Sequence, residues 1–541
     1  MLHEKVIGEQ YIFPTFGKNP NRKEMQKYFN IAGPCNAADH YMVPLLERNK
    51  DILPLIEQKQ YFVLHAARQS GKTTLLQELV DHLEREGKCY ALYCSLEQAQ
   101  VFTEAKEGIP QILNIIRSAI RFSNIPGKEN FLKGSGQKDI STMVGDALKE
   151  FCTTLDKPLI FFFDEIDALQ DGTLISFLRQ LRNGYITRSR IPFPHSIALV
   201  GMRNIRDYKS KVRDGRETLG SPSPFNIITK ALTLRNFSIG DIQGLYNQHT
   251  KATGQVFEKA AVESVHDYTD GQPWLVNAIA REIIMEILEN DFTKKITAAH
   301  VDQAVKNILL RRDTHIDSLL ERLKEERVRK VMEPVITGEK YAISFTDDDT
   351  QYCLDLGLLK NEDNVLKPAN KMYAEVIIRT LSYDLQYHME SQIENRWVKT
   401  DGSLDMNGLL KAFQQFWREN SEIWQEKYQY QEAAPHLILQ AFLQRVVNSG
   451  GGVSREYAAN KGRMDLCVHY GKNKYPIEIK LHYGKKTIPE GLEQLAGYMD
   501  TVGENTGWLV VFDRRKGAAW KEKIYWKTEE KGEHTIHVVG A

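Results

Sequence analysis

Between residues 60 and 201, short apolar runs alternate with amphipathic stretches, and each pattern predicts a different element. The run QYFVLHA is apolar and aromatic with polar neighbours, which is typical of a buried strand. The stretch TTLLQELVDHLEREG is amphipathic and ends at Gly87, so we expect a helix there. Two further runs, KPLIFFF and SIALVG, predict more strands of a buried parallel sheet. The apolar residues of the helix recur at helical spacing: Leu75, Leu76, Leu79, Val80 and Leu83.

The middle of the chain has a different pattern. From LRNFSIGDIQ to about Arg312, short amphipathic stretches with polar turns indicate an α-helical lid. THIDSLLERLKEERVRKVMEPVI then predicts one longer charged helix. The segment from YAISF to EVII predicts a helix, a two-stranded wing with its turn at 361–364 and a closing helix, which together have a winged-helix shape. The acidic TDDD at its expected recognition helix argues against DNA binding by this part.

Residues 386–425 predict a helical connector, and the region beyond them predicts a mixture of helices and strands. Four aromatic residues of the connector have helical spacing, which favours packing over function: Trp397, Phe413, Phe416 and Trp417. A helix from about Glu432 to Val447 then leads into strands at RMDLCVHYG and KYPIEIKL, and EGLEQLAGYM predicts a further helix. The sequence shows no internal repeat and no low-complexity tract.

Composition excludes some classes of protein. A chain of 541 residues is too long to fold around one hydrophobic core, so three or four domains are expected. The formal net charge is zero, which gives no overall attraction to nucleic acid or membrane. The six cysteines form no CxxC pair and favour free thiols in a reducing compartment. No apolar run reaches membrane-spanning length and the start lacks the apolar core of a signal peptide, so we expect a cytoplasmic protein that uses no membrane.

The segment ARQSGKTT lies between the first expected strand and its helix, where backbone N–H groups and the helix dipole favour a bound phosphate. Lys72 would reach the β- and γ-phosphates, Thr73 would ligate Mg²⁺, and Gly71 permits close approach of the backbone. Ala66 replaces the first glycine of G-x-x-x-x-G-K-[ST], which is tolerable if its φ stays below zero. The alternative is a chance GKT before an amphipathic helix. The residues expected to bind ATP or GTP are Ala67, Arg68, Gln69, Ser70, Gly71, Lys72, Thr73 and Thr74.

A second segment, KPLIFFFDEIDAL, places two carboxylates where an apolar strand ends. The carboxyl ends of strands in open α/β sheets are where ligands bind. Asp164 would hold the hydrated Mg²⁺, and Glu165 is the candidate base that polarises an attacking water. The next strand ends near Arg203, which we interpret as a sensor of a γ-phosphate, with a solvent-facing loop arginine as the alternative.

These segments resemble the STAND and archaeal-ATPase group of P-loop ATPases, relatives of the AAA+ proteins, over about residues 28–385. HAARQSGKTT and FFFDEID match the A and B motifs of the group, and YFNIAGPCNAADHYMVPLLER is similar to its entry segment. Arg203 matches its sensor arginine, and Gly271-Gln272-Pro273 is similar to the GxP motif of the helical lid. The resemblance implies ATP and Mg²⁺ as cofactors and a contact of Pro273 with the nucleotide. An arginine finger from a neighbouring subunit is not identified; the candidates are Arg179, Arg182 and Arg206.

A second candidate site lies in the C-terminal strands. Glu478 and Lys480 alternate along KYPIEIKL and therefore share one face of that strand. A hairpin would bring Asp465 beside Glu478, so that two carboxylates bind Mg²⁺ while the lysine orients and acidifies a water. On the next helix, Gln494 and Tyr498 are four residues apart and share a face. The alternative interpretation is a surface hairpin with an ion pair.

This pattern resembles the PD-(D/E)XK nuclease superfamily, and its RecB-like members in particular, over roughly residues 426–515. The proline of the family name is absent, because Met464 precedes Asp465. The resemblance implies a Mg²⁺-dependent nuclease with Asp465 and Glu478 as metal ligands and with Lys480, Gln494 and Tyr498 in the active site. Glu432 is either an additional family carboxylate or a helix cap. Basic residues nearby would contact DNA phosphates: Lys461, Arg463, Lys472, Lys474, Lys485 and Lys486.

We therefore expect an α/β protein: a P-loop NTPase parallel sheet with a helical lid and a winged helix, followed by a C-terminal α/β restriction-endonuclease-like domain. The expected function is an ATP-dependent switch that controls a nuclease acting on DNA, by analogy in antiviral defence. One alternative is a switch whose nuclease-like domain only binds nucleic acid or a partner, and another is a DNA-processing motor. A protein trigger and self-association are left open. The expected domains are the ATPase (1–230), lid (231–320), winged helix (321–385), connector (386–425) and nuclease-like domain (426–541).

Overall fold

The computed structural model of the chain describes residues 27–133, 139–202, 227–311, 314–336, 347–377, 397–427, 438–443, 451–457, 464–482, 484, 486–513, 515 and 519–541. The strands of these residues form three sheets, with five, six and two strands. Within the same residues, no helix combines the length and the apolar character needed to cross a bilayer.

The first sheet is parallel throughout, and its strand order is β2-β3-β4-β1-β5. Successive side chains of β3 enter two different apolar cores, with Phe162 in one and Phe161 and Phe163 in the other. Burial on both faces explains why the strand sequences are almost continuously apolar. The strands are β1 (Tyr61–His65), β2 (Tyr90–Ser95), β3 (Leu159–Asp164), β4 (Ser196–Gly201) and β5 (Ile228–Thr233).

The expected strands and helix around the phosphate loop are present, whereas β5 lacks a sequence signal. The side chains of β5 are largely exposed, so its sequence has no buried run to reveal it. Helices cover both faces of the sheet: α1 (Leu45–Arg48), α2 (Ile52–Glu57), α3 (Lys72–Glu86), α4 (Ala105–Arg121), α5 (Lys128–Lys133), α6 (Met143–Thr153) and α7 (Asp171–Thr187).

A group of helices follows the sheet. Its first helix begins with a capping box, in which the Ser238 side chain accepts from the Asp241 N–H and the Asp241 carboxylate accepts from the Ser238 N–H. These hydrogen bonds satisfy backbone donors at the helix start. The group comprises α8 (Ile239–Thr253), α9 (Lys259–Thr269), α10 (Pro273–Arg281), a π-helical turn (Glu282–Ile287) and α11 (Ala298–Arg311).

The expectation of one long helix from 314 to 336 is wrong. The structure has two helices, α12 (Thr314–Leu323) and α13 (Glu326–Ile336), with a break at Lys324 and Glu325. The Glu325 carboxylate accepts hydrogen bonds from Arg322 and from the Tyr352 hydroxyl, so the break is held by a contact to a later helix. A charged periodic sequence does not reveal such a distant partner.

The two-stranded wing is present, with a turn shorter than expected. Glu362 pairs with Val365, so only Asp363 and Asn364 form the turn, and both have positive φ. Asp and Asn tolerate this left-handed conformation better than most residues, which suits a tight hairpin. The elements are α14 (Asp348–Asp355), β6 (Leu359–Glu362), β7 (Val365–Pro368) and α15 (371–377).

The C-terminal sheet has six strands in the order β12-β13-β11-β10-β9-β8. Its central pairs β10–β11 and β11–β13 are parallel, and the outer pairs are antiparallel. The elements here are α16 (Met406–Lys427), α17 (438–443), β8 (Gly451–Tyr457), β9 (Met464–Tyr470), β10 (Asn473–Leu481), α18 (Thr487–Val502), β11 (Thr506–Phe512), α19 (Trp520–Lys523), β12 (Tyr525–Lys531) and β13 (His534–Gly540).

The aromatic residues of the expected connector pack against this sheet. Phe413 and Trp417 on α16 lie at 5.9 and 5.1 Å from the ring of Phe512 on β11. The Gln414 side chain donates to the carbonyl oxygens of Tyr525 and Gly540, which lie on the paired strands β12 and β13. Helix α16 therefore packs against the C-terminal sheet and belongs to the same structural unit as its strands.

Candidate nucleotide site and C-terminal polar cluster

The loop between β1 and α3 wraps around the amino group of Lys72. Lys72 Nζ donates to the carbonyl oxygens of Ala66 at 2.9 Å and Ala67 at 3.0 Å. The Ser70 hydroxyl also donates to Ala67 O, at 2.7 Å. Gly71 has φ +92°, a conformation that L side chains rarely adopt, so glycine suits the turn into α3. The loop thus presents an ammonium group and a helix N-terminus to the same place.

Ala66 fits the position where the motif usually has its first glycine. Its side chain is 4% exposed, and its N–H donates to Gly201 O on β4 at 3.2 Å. Ala66 is not among the residues with positive φ, so a methyl group causes no backbone strain. The departure from the motif therefore leaves the geometry of the loop intact.

Asp164 lies at the end of β3, beside the start of α3. Its Oδ2 accepts hydrogen bonds from the Thr73 hydroxyl at 2.7 Å and the Tyr93 hydroxyl at 3.1 Å. A hydroxyl and a carboxylate in contact are oxygen donors of the kind that Mg²⁺ prefers, so these residues fit the ion that the motif implies. Tyr93 was missed by sequence reasoning; its location near the end of β2, the strand next to β3, is the signal that could have found it.

Glu165 follows in a left-handed conformation, with φ +55°. Burial raises the pKa of its carboxyl group, and the neighbouring Asp164 charge acts in the same direction. Burial lowers the pKa of the Lys72 ammonium, against the opposing effect of Glu165. A carboxylate with a raised pKa near a lysine is a suitable base for activating water.

Asp167 holds the end of the neighbouring strand. Its two carboxylate oxygens accept from the Met202 N–H at 3.1 and 3.0 Å. This contact fixes the backbone directly before Arg203, which lies outside the described residues, as does Arg206. Of the other candidate arginines on α7, Arg179 is exposed and Arg182 is half-buried.

The GxP segment lies against the phosphate loop. Gly271 has φ +71°, and a Cβ atom there would lie 1.8 Å from Phe237 O, so the site admits only glycine without rearrangement. The Gln272 side chain donates to Gln69 O at 3.3 Å and accepts from the Leu275 N–H at 2.7 Å. Pro273 occupies the first turn of α10. The lid therefore touches the loop through Gln272, while Pro273 starts its helix.

His315 connects the loop to two further elements, and sequence reasoning missed it. Its Nδ1 contacts the Gln69 side-chain oxygen, and its Nε2 lies 2.6 Å from the Tyr373 hydroxyl. The ring stacks on Trp274 with 4.6 Å between centroids. Burial, with a smaller effect of the Arg68 charge, lowers the pKa of His315 to about 4. The imidazole is therefore neutral near pH 7.

The C-terminal cluster contains three of the predicted residues. Lys480 Nζ donates to Glu478 Oε1 and to the Gln494 side-chain oxygen. Glu478 is 1% exposed and Lys480 is 8% exposed. Strand β10 brings Glu478 and Lys480 to one face, and α18 packs Gln494 onto that face. Lys480 and Glu478 do form the ion pair of the alternative interpretation, but the pair is buried and does not lie on the surface.

Asp465 lies on β9 next to Leu466, which pairs with Ile477 of β10. Glu478 follows Ile477, so the backbone register places residues 465 and 478 next to each other on the paired strands. Tyr498 is buried on α18. No group of three or more metal-ligating side chains occurs in the part of the chain that the structure describes. Glu432, Lys461, Arg463 and Lys485 lie outside that part, and Lys472, Lys474 and Lys486 are exposed.

A parallel sheet, a phosphate loop and an acidic strand end define a P-loop ATPase-like domain. Residues 46–378 match the model of a family described as an AAA-like domain, and the chain belongs to this family. Residues 409–516 match a domain of unknown function, DUF8371. A comparison with curated proteins found no match. The family and the loop geometry together support ATP binding.

A comparison with solved structures found matches of low similarity, among them the following three proteins. The Walker-type ATPase PABY2304 of Pyrococcus abyssi is 14% identical, with a TM-score of 0.44, and the match covers 64% of this chain and 99% of that one. The RuvB Holliday junction branch migration motor of Thermotoga maritima is 13% identical, with a TM-score of 0.33 and coverage of 64% and 95%. Cdc6p of Pyrobaculum aerophilum is 13% identical, with a TM-score of 0.35 and coverage of 64% and 96%. All three TM-scores are below 0.5, so the assignment to the AAA-like family rests on the family match and on the geometry of the site.

Proposed function

We propose that the chain is an ATP-hydrolysing switch of the STAND type that controls a Mg²⁺-dependent DNA nuclease formed by its C-terminal region. The observation that carries the nuclease half is the buried contact of Lys480 with both Glu478 and Gln494. Three residues singled out for one chemistry, on two different elements, meet at one place. Antiviral defence is the setting we propose for this combination, by analogy of architecture.

In the ATPase half, the chain's own residues have distinct tasks. Lys72 would exchange its carbonyl acceptors for phosphate oxygens, and the N–H groups of Gly71 to Thr74 would add to this contact at the start of α3. Thr73 and Asp164 would hold Mg²⁺, which supplies charge stabilisation when bound. Glu165 would take the proton of the attacking water, since its raised pKa suits a base. Arg203 and Pro273 remain proposed contacts.

The contacts of Gln69 support a route from nucleotide to the following domains. Its carbonyl oxygen accepts from Gln272 of the lid, and its side chain contacts His315 of α12. Through Tyr373, His315 also reaches α15, at the end of the proposed winged helix. A phosphate that rearranges the loop would disturb these bonds together. Lid and winged helix are then elements that respond to the nucleotide.

In the nuclease half, Asp465 and Glu478 provide the oxygen donors that a hard divalent cation requires. Such an ion supplies Lewis-acid activation when bound. Lys480 would orient the attacking water, Gln494 would hold the lysine amino group, and Tyr498 supports the site from the same helix. The water would lose a proton as its oxygen forms a bond to phosphorus, the phosphodiester P–O bond would break, and a proton would pass to the leaving oxygen. Lys472, Lys474 and Lys486 are proposed phosphate contacts.

The test is a nuclease assay on supercoiled, linear and single-stranded DNA, with and without ATP and Mg²⁺. Glu478→Gln and Lys480→Gln should abolish cleavage, and Gln494→Ala should reduce it less severely. Glu490→Gln is the matched control, because Glu490 is an exposed carboxylate on the first turn of α18. Retained ATP binding would show that the N-terminal half of each variant is folded, and hydrogen exchange of the β10 amides would show the same for the C-terminal sheet. Cleavage by Glu478→Gln at the wild-type rate would reject the nuclease.

A second candidate is a switch whose C-terminal domain only binds a nucleic acid or a protein. The observation that favours it is the nearly complete burial of Glu478 and Lys480, whose charges already neutralise one another. In that case wild-type protein would retain DNA or a partner in an ATP-dependent manner without cutting under any condition. Identical plasmid profiles for wild type and Glu478→Gln, together with ATP-dependent retention, would support this function over the nuclease.

A further inference from the structure

A cavity of about 550 Å³ lies at the end of the first sheet opposite the phosphate loop. Its lining includes Lys59, two residues before β1, Leu159 at the start of β3 and His195, directly before β4. Because these strands are parallel, their starts meet at one edge and the nucleotide residues lie at the other. The cavity is therefore separate from both sites described above.

Positive charge dominates the lining. Lys59, Lys157 and Arg188 contribute three cations, and Asp156 is the acidic residue among the lining residues. The Asp156 carboxylate accepts a hydrogen bond from the Tyr90 hydroxyl at 2.8 Å. Within the described residues, none of the three cations has a carboxylate at ion-pairing distance. A concave surface on which three cations outnumber one carboxylate attracts anions.

The Arg188 guanidinium is held in place before any ligand arrives. It lies 3.8 Å from the ring centre of Tyr185 and 5.5 Å from that of Tyr61. It also donates to the carbonyl oxygen of Lys59 at 2.7 Å. A stacked guanidinium loses little freedom on binding, and its planar fork matches phosphate oxygens. His195 adds no charge near pH 7, because burial lowers its pKa.

Part of the remaining lining is apolar, and the cavity is larger than a phosphate ion requires. Leu155, Pro158 and Pro192 supply the accessible apolar surface. Cavities of several hundred Å³ with an apolar wall and a few fixed polar groups are typical of sites for organic ligands. We propose that this cavity binds a small phosphorylated organic molecule, with its phosphate on Arg188, Lys59 and Lys157 and its organic part against Pro158 and Pro192.

The proposal is tested by calorimetric titration of AMP and of inorganic phosphate into full-length protein carrying Lys72→Ala, which weakens phosphate binding at the phosphate loop. Both should bind, and AMP should bind more tightly because its base adds apolar contact. Adding Arg188→Gln or Lys157→Gln should weaken AMP by about tenfold or more, since each removes a charge-assisted contact. Lys88→Gln is the matched control, because Lys88 is an exposed lysine near the start of β2 that does not line the cavity.

Three outcomes would overturn the inference. No AMP binding to the Lys72→Ala protein, or equal binding after Arg188→Gln and Lys157→Gln, would reject the site. Phosphate binding as tight as AMP binding would reject the organic part of the ligand. Unchanged thermal unfolding of the Arg188→Gln and Lys157→Gln variants would show that lost binding comes from lost charge. The assay does not depend on ATP turnover or on DNA cleavage.

Discussion

Two nearly buried lysines, one in each half of the chain, are held in different ways. Lys72 is 7% exposed and donates to two carbonyl oxygens of its own loop. Lys480 is 8% exposed and donates to a carboxylate and a side-chain amide on two elements. In the described residues, no carboxylate lies at ion-pairing distance from Lys72. The first lysine donates to neutral carbonyl oxygens that an incoming anion can replace, whereas the second already contacts a carboxylate before any ligand binds.

This difference has a consequence for stability and for ligand binding. A phosphate at Lys72 replaces neutral acceptors and gains a charge-assisted contact. A metal ion at Glu478 must compete with a lysine that already contacts the carboxylate. The N-terminal site is thus prepared for its ligand, and the C-terminal site requires rearrangement of a buried pair.

The largest effect should come from breaking that pair. Lys480→Met leaves the Glu478 carboxylate buried without its cation, which should cost about 3–5 kcal/mol in the local opening free energy of β10. Lys72→Met loses hydrogen bonds to neutral carbonyl oxygens and should lower the local opening free energy of α3 by about 1 kcal/mol. Hydrogen exchange of the backbone amides in β10 and in α3 measures the two opening free energies. Adding Glu478→Leu to Lys480→Met should recover most of the loss; equal costs for the two lysines would contradict the comparison.

The next largest effect should come from His315 on α12, whose neutral imidazole contacts Gln69 of the phosphate loop. The pKa of His315 is lowered from 6.5 to about 4, so the unfolded chain takes up its proton first as the pH falls. The free energy of unfolding therefore has its full value above pH 6.5 and falls by about 3 kcal/mol as the pH decreases to 4. His315→Gln should abolish that part of the pH dependence in urea unfolding. His82→Gln, a change on the outer side of α3, should retain it.

Glu165→Gln should lower ATP hydrolysis by about 100-fold, because the amide cannot accept the proton of the attacking water. ATP binding should persist, since Lys72 and Thr73 are untouched. In wild type, turnover should decline with acid at a pH above the ordinary carboxyl range, because the pKa of Glu165 is raised. Single-turnover measurements across pH separate this step from binding. Normal turnover by the variant would remove Glu165 from its proposed role.

The smallest expected effect is on the affinity for ATP. Lys72→Ala should weaken ATP binding by roughly 1.5–3 kcal/mol, which is the contribution of a hydrogen bond to a charged group. Calorimetry with ATP and Mg²⁺ measures it. Lys88→Ala, a change of an exposed lysine beyond α3, should leave the affinity as it was. An unchanged affinity in the Lys72 variant would mean that the loop does not hold the phosphates.

The sequence alone determined the elements whose signals are local. The strand–loop–helix unit from Tyr61 to Glu86 follows from a buried run, a glycine turn and helical periodicity within 26 residues. The shared face of Glu478 and Lys480 follows from the two-residue period of a strand. The resemblance to the nuclease superfamily implied that Gln494 lies in the same site, and the structure adds that α18 packs on β10 and that Gln494 contacts Lys480.

Only the tertiary structure decided which distant groups meet. His315 lies 246 residues from Gln69, and Tyr93 lies 71 residues from Asp164, so no local pattern marks either contact. The break between α12 and α13, the exposed strand β5 and the packing of α16 on the C-terminal sheet depend likewise on partners elsewhere in the chain. Periodicity records which face of an element is buried, but not what covers it, because many apolar surfaces could cover the same face.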